Sequence, residues 1–286
     1  MNFNQDVRVS AAPVEYIAGT IGYLQASIEK PYNYMYDPPA GVERENCRYE
    51  YKSVFVRNGR HIKRELSVDR QGFEFLSAPT AVKDFRDDED VINVYYNEVR
   101  ELALAVTGAS SAYVFDHLVR KREEGRPALT FGRHGDGSNP AAVGRVHNDY
   151  SEASGMRRLN LVLGANARFA GARFAVLNIW RSIAGPVMDT PLGVCDARSV
   201  KARDLVAAEI RYQTRSGEIY LSTFNPEHRW HYFPLMKRDE ALIFKQFDSL
   251  SDVARYTLHS AFDLPQIPPD APLRESIEAR CLVVYD

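Results

Sequence analysis

Arg145-Val146-His147-Asn148-Asp149-Tyr150 is the stretch on which the reading of this chain turns. In extended backbone, residues two apart share a face, so the His147 imidazole and the Asp149 carboxylate leave the strand in one direction. Together they are two thirds of a facial metal site. A second histidine from elsewhere would complete a 2-His-1-carboxylate set, which suits Fe(II) and leaves three positions open for a co-substrate and O2. The same residues also suit a surface turn in which Asn148 and Asp149 hydrogen-bond locally. The rest of the chain has to separate the two readings.

With 286 residues, 45% of them hydrophobic and 11% aromatic, the chain can bury a sizeable core. Its formal charge is −2, from 36 basic and 38 acidic residues, so no general field draws it to nucleic acid or an anionic membrane. Cys47, Cys195 and Cys281 lie far apart without a CxxC spacing and read as free thiols in a reducing compartment. Met1-Asn2-Phe3-Asn4-Gln5-Asp6 has neither the basic nor the apolar part of a signal peptide. No apolar run approaches the roughly 20 residues that span a bilayer. The expectation is a single cytoplasmic domain over residues 1–286, with its oligomeric state open.

Residues 1–130 read as an arm and bracing elements around a catalytic core in residues 131–286. Lys30-Pro31-Tyr32-Asn33-Tyr34-Met35-Tyr36-Asp37-Pro38-Pro39 suggests an extended arm, because proline cannot donate to a central ladder. Residues 49–56 alternate and end at Asn58-Gly59, a strand with a hairpin signal. From 89 to 106, apolar residues recur at three- and four-residue steps before Gly108, which predicts a helix bracing a sheet. Residues 112–117 read as a strand in which His117 is a satisfied core or edge histidine, and 121–126 as a charged, solvated loop.

Beyond residue 131, Gly132, Gly135, Gly137 and Pro140 make an irregular lead-in. The segments 158–163, 173–183, 209–213, 218–224, 228–233, 241–247, 253–259 and 276–285 then read as short strands without the helix alternation of a parallel sheet. The predicted class is mainly β with flanking helices (α+β), around a double-stranded β-helix, or jelly roll.

The third ligand has to come from His61, His117, His134, His228, His231 or His259. His134 sits among glycines. His228 and His231 are three apart, which suits a second metal pair on a helix, but their aromatic neighbours suit a packed hairpin. His259 has the better context, because Arg274-Glu275-Ser276 follows it at the start of the last strand. A 2-oxo dicarboxylic acid chelates iron through its keto and C1 carboxylate oxygens, and its far carboxylate then needs a permanently charged fork. Arg274 offers that fork, and Ser276 faces the same way. Arg280 shares this parity and is the fallback anchor. Without the triad, Arg274 would be a surface charge at a strand start.

These motifs resemble the Fe(II)/2-oxoglutarate-dependent oxygenases, within them the hydroxylase/desaturase group typified by CmcJ and AsaB. The resemblance rests on Arg145-Val146-His147-Asn148-Asp149, Asn178-Ile179-Trp180-Arg181, the run from Pro191 to Ser199, Asn225-Pro226-Glu227-His228-Arg229-Trp230, Phe247-Asp248-Ser249, His259-Ser260-Ala261-Phe262-Asp263 and Arg274-Glu275-Ser276-Ile277-Glu278. It implies a jelly roll that uses Fe(II), 2-oxoglutarate and O2 to hydroxylate, desaturate or cyclise a small secondary-metabolite scaffold, releasing succinate and CO2. It also implies His147, Asp149 and His259 as iron ligands, with Arg274 and Ser276 on the co-substrate. One departure is Asp263-Leu264-Pro265, where the family has Asp-Pro. Asn178 and Arg181 have opposite parity on one strand, so at most one reaches the substrate pocket. Arg145 is a candidate brace for Asp149. The competing readings are an iron oxidase that needs no 2-oxoglutarate, a metal-dependent isomerase or hydrolase on a cupin-like barrel, and a non-catalytic jelly-roll binding module.

Overall fold

Strand-forming segments run through the whole chain, including the part read as an outer arm. The structure, a computed structural model, describes residues 15–131, 140–164 and 171–286; the leader at Met1–Asp6 and His134 lie outside the described residues. In chain order the strands are β1 (Tyr16–Leu24), β2 (Tyr32–Tyr34), β3 (Tyr49–Asn58), β4 (Phe73–Ser77), β5 (Ser111–Lys121), β6 (His147–Asn148) and β7 (Phe174–Ser182). There follow β8 (Leu192–Cys195), β9 (Leu205–Arg211), β10 (Ser216–Ser222), β11 (Trp230–Tyr232), β12 (Glu240–Asp248), β13 (His259–Ala261) and β14 (Glu275–Val284). The larger sheet has the order β1-β3-β11-β8-β13-β6-β10-β9-β2, and the smaller β4-β12-β7-β14-β5. The protein is mainly β, with the two sheets of a jelly roll.

Strands from the first 130 residues occupy sheet edges. β1 and β3 extend one end of the large sheet, β2 adds to the other, and β4 and β5 flank the small sheet. Of the arm, β2 pairs in parallel with β9, and β2 begins just after Pro31. The helix expected at 89–106 is present as α1 (Asp88–Asp90), a π-helical turn (Val91–Tyr95) and α2 (Tyr96–Thr107). Gly108, at φ +65°, closes it by donating its N–H to the Leu104 carbonyl. Val91, Tyr95, Val99 and Ala103 pack on Leu177, Ile179 and Ala279 of the small sheet. This cover explains why every residue of β7 is buried and why its sequence shows no alternation.

Four expectations are corrected. Residues 158–163 are helical, in α3 (Glu152–Leu163): the Ser151 hydroxyl accepts from the Ser154 N–H, a capping box sets the start, and Gly155 lets the helix rest against the Phe247 ring. Asn58-Gly59 makes no hairpin, because the Asn58 carboxamide caps a 3-10 turn by accepting from the Arg60 N–H at 3.0 Å. The loop after β5 is not wholly solvated. Arg122 is fully buried, and its guanidinium donates to Thr190, the Pro127 carbonyl and Asp263. Residues 253–258 precede β13 as irregular backbone. The strands β1, β4 and β8 went unread.

Gly72 joins this irregular backbone to the small sheet. The Thr257 hydroxyl donates to the Gly72 carbonyl at 2.9 Å, and Gly72 has φ +90°. A Cβ there would lie 2.4 Å from the Thr257 hydroxyl oxygen. Gly72→Ala is therefore expected to lower unfolding stability by about 2–3 kcal/mol, from backbone strain and the clash together. Urea denaturation checks this; an unchanged midpoint would contradict the account.

Candidate metal centre

β6 is two residues long, yet it sits between β10 and β13, so both flanks fix His147. Across the ladder His147 stands directly opposite His259, and their ring centroids are 4.1 Å apart. Asp149 follows at the bend beyond the strand. One donor atom from each of His147, Asp149 and His259 lies within 4.8 Å of the others. The His147 Nε2 is 3.5 Å and the His259 Nε2 4.0 Å from Asp149 Oδ1.

What the other atoms of these residues do decides whether the cluster suits a cation. His147 Nδ1 lies 2.7 Å from the Arg145 carbonyl and His259 Nδ1 3.2 Å from that of Thr257. A carbonyl only accepts, so both Nδ1 atoms carry the proton and both Nε2 lone pairs point inward. Asp149 Oδ2 accepts from Asn178 Nδ2 at 2.9 Å and Arg280 Nε at 3.1 Å, which leaves Oδ1 facing the imidazoles. Burial, then the neighbouring His259, pushes His147 down to about 4, and burial also lowers His259. Burial alone would raise Asp149, but the Arg280 guanidinium, with the two imidazoles, holds it well below the usual carboxylate range. Two neutral imidazoles and one carboxylate facing a common point are the donor set that Fe(II) takes.

Asn148 points the other way and stitches the centre together. Its Nδ2 donates to the carbonyls of Tyr150 and Gln246, and its Oδ1 accepts from the Thr257 N–H. The Gln246 carboxamide oxygen accepts from the Asp149 N–H at 2.7 Å. Neither Asn148 nor Gln246 was marked by the sequence motifs. The nearest signal was the turn propensity of Asn148-Asp149, which the structure turns inward.

Arg274 and Ser276 are buried, 4% and 1% exposed. Arg274 Nη1 donates to the Thr190 carbonyl, but Arg274 Nε and Ser276 Oγ have no hydrogen-bond partner. Burial, then the like charge of Arg120, pushes the Arg274 guanidinium down to about 10. A buried cation beside an orphaned hydroxyl is a cradle for a carboxylate, and the fit to 2-oxoglutarate rests on these orphaned atoms. Arg280, the fallback anchor, has its guanidinium committed to Asp149, Asp116 and Glu278 at 3.1, 2.8 and 3.1 Å.

Of the two residues weighed for substrate contact, Asn178 reaches the centre. Arg181 faces the other side of the small sheet, where it is fully buried and donates to Tyr95 and to the carbonyls of Ala78 and Arg238. Arg145 does not brace Asp149; it donates to the Tyr51 hydroxyl and lies 4.0 Å over the Tyr49 ring. His228 is held between Tyr23 and Asp204, and His231 faces the Arg229 carbonyl, so they are packed residues without a shared metal position. His117 is bonded to Tyr96 and Asp88, and His61 to Asn58.

A cavity of about 360 Å³ opens onto His147, Asp149 and Arg280. Arg274 and Ser276 are not among its lining residues; Arg120, opposite Ser276 across the β5–β14 ladder, lines it.

The chain is similar to known oxygenases in sequence and in fold. A family model described as "Oxidoreductase/YMDC permease-like domain" matches residues 21–284. A hydroxylase/desaturase of Hormonema carpetanum is 33% identical over 256 residues, covering 84% of this chain and 85% of that protein. An alpha-ketoglutarate-dependent dioxygenase of a fungal species is 32% identical over 250 residues, covering 82% and 85%. The solved structure of the iron and alpha-ketoglutarate-dependent endoperoxidase NvfI superposes with a TM-score of 0.84 at 26% identity, over 95% of this chain and 98% of that one.

A proton and a metal compete for each imidazole. Because burial lowers both imidazoles, His147 to about 4, lowering the pH from 7.5 to 5.5 is expected to weaken divalent-metal affinity less than it would at ordinary histidines. An ordinary histidine would begin to lose the competition near pH 6.5, costing close to tenfold by pH 5.5. Anaerobic calorimetry with Fe(II) across that range separates the two.

Proposed function

The chain belongs to the Fe(II)/2-oxoglutarate-dependent hydroxylase/desaturase family, and from that premise we propose that His147, Asp149 and His259 are its iron ligands. The single observation that carries this is their convergence: three inward donor atoms, each with its other polar atom already hydrogen-bonded. The protein is a dioxygenase acting on a small molecule. When bound, iron together with 2-oxoglutarate and O2 supplies the oxidising power for attack on a substrate C–H bond, and succinate and CO2 leave.

The chain's own residues contribute position, charge and exclusion of water. The two Nδ1–H groups keep the imidazoles in the tautomer that offers Nε2. Asn178 and Arg280 hold Asp149 charged and turned so that Oδ1 serves the metal. Arg274 and Ser276 take the far carboxylate of 2-oxoglutarate, matching their orphaned Nε and Oγ. That pair counts against an oxidase independent of 2-oxoglutarate, which would have no use for a buried carboxylate cradle. Arg280 acts on Asp149 and is a positioning residue, with Arg274 the anchor. Arg181 plays no part in substrate contact.

The N-terminal strands complete both sheets, which supports one catalytic domain over residues 1–286 with the jelly-roll core in 131–286. Free Cys47, Cys195 and Cys281 support a reducing, cytoplasmic setting. No helix among the described residues is long and apolar enough to cross a membrane.

His147→Ala or His259→Ala is expected to abolish stoichiometric Fe(II) binding and succinate release; retained turnover would defeat the ligand assignment. Arg274→Ala should raise the KM for 2-oxoglutarate on the order of 100-fold, the effect of losing ~3 kcal/mol of charged hydrogen bonding. Arg280→Ala should instead weaken Fe(II) binding by roughly 10–100-fold with a smaller change in that KM. The reverse ranking would move the anchor to Arg280.

A further inference from the structure

The cavity above the metal centre has an asymmetric wall. Apolar side chains line much of it, among them Leu118, Phe131, Val143, Ile210 and Ile219. The polar remainder includes the guanidinium groups of Arg120, Arg157, Arg158, Arg215 and Arg280. Asp149, Tyr150 and Ser151 lead straight from the metal strand into α3, and Ser154, Arg157, Arg158 and Leu161 of that helix all line the cavity. Their spacing puts them on one helical face. At 1.5 Å per residue, Arg158 lies about 10 Å along the helix axis from its cap at Ser151. Arg215 lines the cavity from the β9–β10 connection and lies 4.0 Å over the Tyr212 ring.

Two buried guanidinium groups elsewhere in this fold have carboxylate partners, Arg122 with Asp263 and Arg280 with Asp149, while Arg181 and Arg274 donate to Tyr95 and to backbone carbonyls. Half-exposed Arg60 pairs with Glu240 and Arg173 with Asp248. The side chains of Arg157, Arg158 and Arg215 make no hydrogen bond or ion pair among the described residues. The charge of Arg157 is felt by Glu218, whose own oxygens are taken by Ser151 and Lys30. Arg158 is the most constrained of the three. Its guanidinium lies 4.8 Å over Phe115 and 5.4 Å over Tyr150, and its Nε is buried without a partner. Two aromatic rings fix the plane of the fork, one of its donors is orphaned, and the residue lines a cavity that leads to the metal ligands.

We propose that Arg158, with Arg157 and Arg215 supplying further positive charge, is a carboxylate receptor, and that the substrate is an apolar acid. Its hydrocarbon body lies along the apolar wall, and its carboxylate takes the Arg158 fork, which stands over the Tyr150 ring. The proposal rests on the reading of the metal centre given above, because the cavity is assigned to substrate by its opening onto those ligands. A carboxylate suits the site better than a diphosphate, since Glu218 and Asp116 stand in the same wall and oppose a larger negative charge.

The test uses the full chain with Fe(II) and 2-oxoglutarate under anaerobic conditions, so that binding is read without turnover. Dodecanoate, cinnamate and abietate are titrated calorimetrically, each against its methyl ester, with inorganic pyrophosphate as competitor. At least one acid should bind ~10-fold or more tightly than its ester, the range of a charged hydrogen bond. Arg158→Gln should reduce that preference to less than ~3-fold, whereas Arg158→Lys, which keeps the charge, should retain part of it. The visible absorption of the Fe(II)–2-oxoglutarate chelate reports that each variant is folded and loaded. The proposal is overturned if no acid binds, if esters bind as well as acids, if Arg158→Gln keeps the preference, or if equimolar pyrophosphate displaces the acids. Loss of the chelate in the wild-type chain would instead defeat the metal-centre reading, and the acid–ester comparison in metal-free protein would still report on Arg158.

Discussion

A carboxylate can offer one oxygen to a metal in a fixed direction only if something holds the other. Here Asn178 and Arg280 hold Asp149 Oδ2, and they stand directly opposite each other on β7 and β14, both interior strands of the small sheet. Asp149 itself comes off a strand of the large sheet. Three side chains therefore tie the two sheets across the barrel interior, and the spacing between the sheets becomes a condition of the metal geometry. The covering helix, the fully buried β7 and the long β5–β14 ladder all keep the small sheet in place behind that contact.

The charge distribution follows from the same arrangement. Arg280 meets three carboxylates, Asp149, Asp116 and Glu278, and burial followed by the nearby Asp149 raises Glu278. The middle of β14 thus carries a surplus of acid around one guanidinium. Six residues earlier, Arg274 has no carboxylate bound to its guanidinium. Burying a cation without a matched anion is unfavourable, so this end of the strand is at a disadvantage until an anionic guest arrives. With Arg274 as the proposed co-substrate anchor, co-substrate binding and local stability would be linked through that imbalance.

Much of this was legible in the sequence, for identifiable reasons. His147 and Asp149 share a face at any extended pair of positions, and the helix at 89–106 declares itself because one covered side gives a clear 3.6-residue period. The jelly-roll class follows from the density of short strands. What stayed hidden depends on partners distant in sequence. Arg280 looked like a spare anchor because parity gives its face, and only the register with Asn178 shows that it is taken. Asn148 read as a turn former, since its three bonds go to Tyr150, Gln246 and Thr257, two of them about a hundred residues away. α3 read as a strand because its apolar residues are split between the cavity and the core, which blurs the helical period. Arg122 read as solvated because charge composition does not show that Asp263 and Thr190 wait for it.

The direct passage from Asp149 through Tyr150 and Ser151 into α3 has an evolutionary reading. The cap and the metal strand are anchored by bonds that point into the sheets, while the face at Ser154, Arg157, Arg158 and Leu161 is free of those bonds to the sandwich except at Ser154. Exchanging the outer three side chains leaves the ligands, their tautomers and the co-substrate cradle untouched. A lineage can thus redraw what its members accept, one helical turn at a time, while inheriting the same oxidative chemistry unchanged.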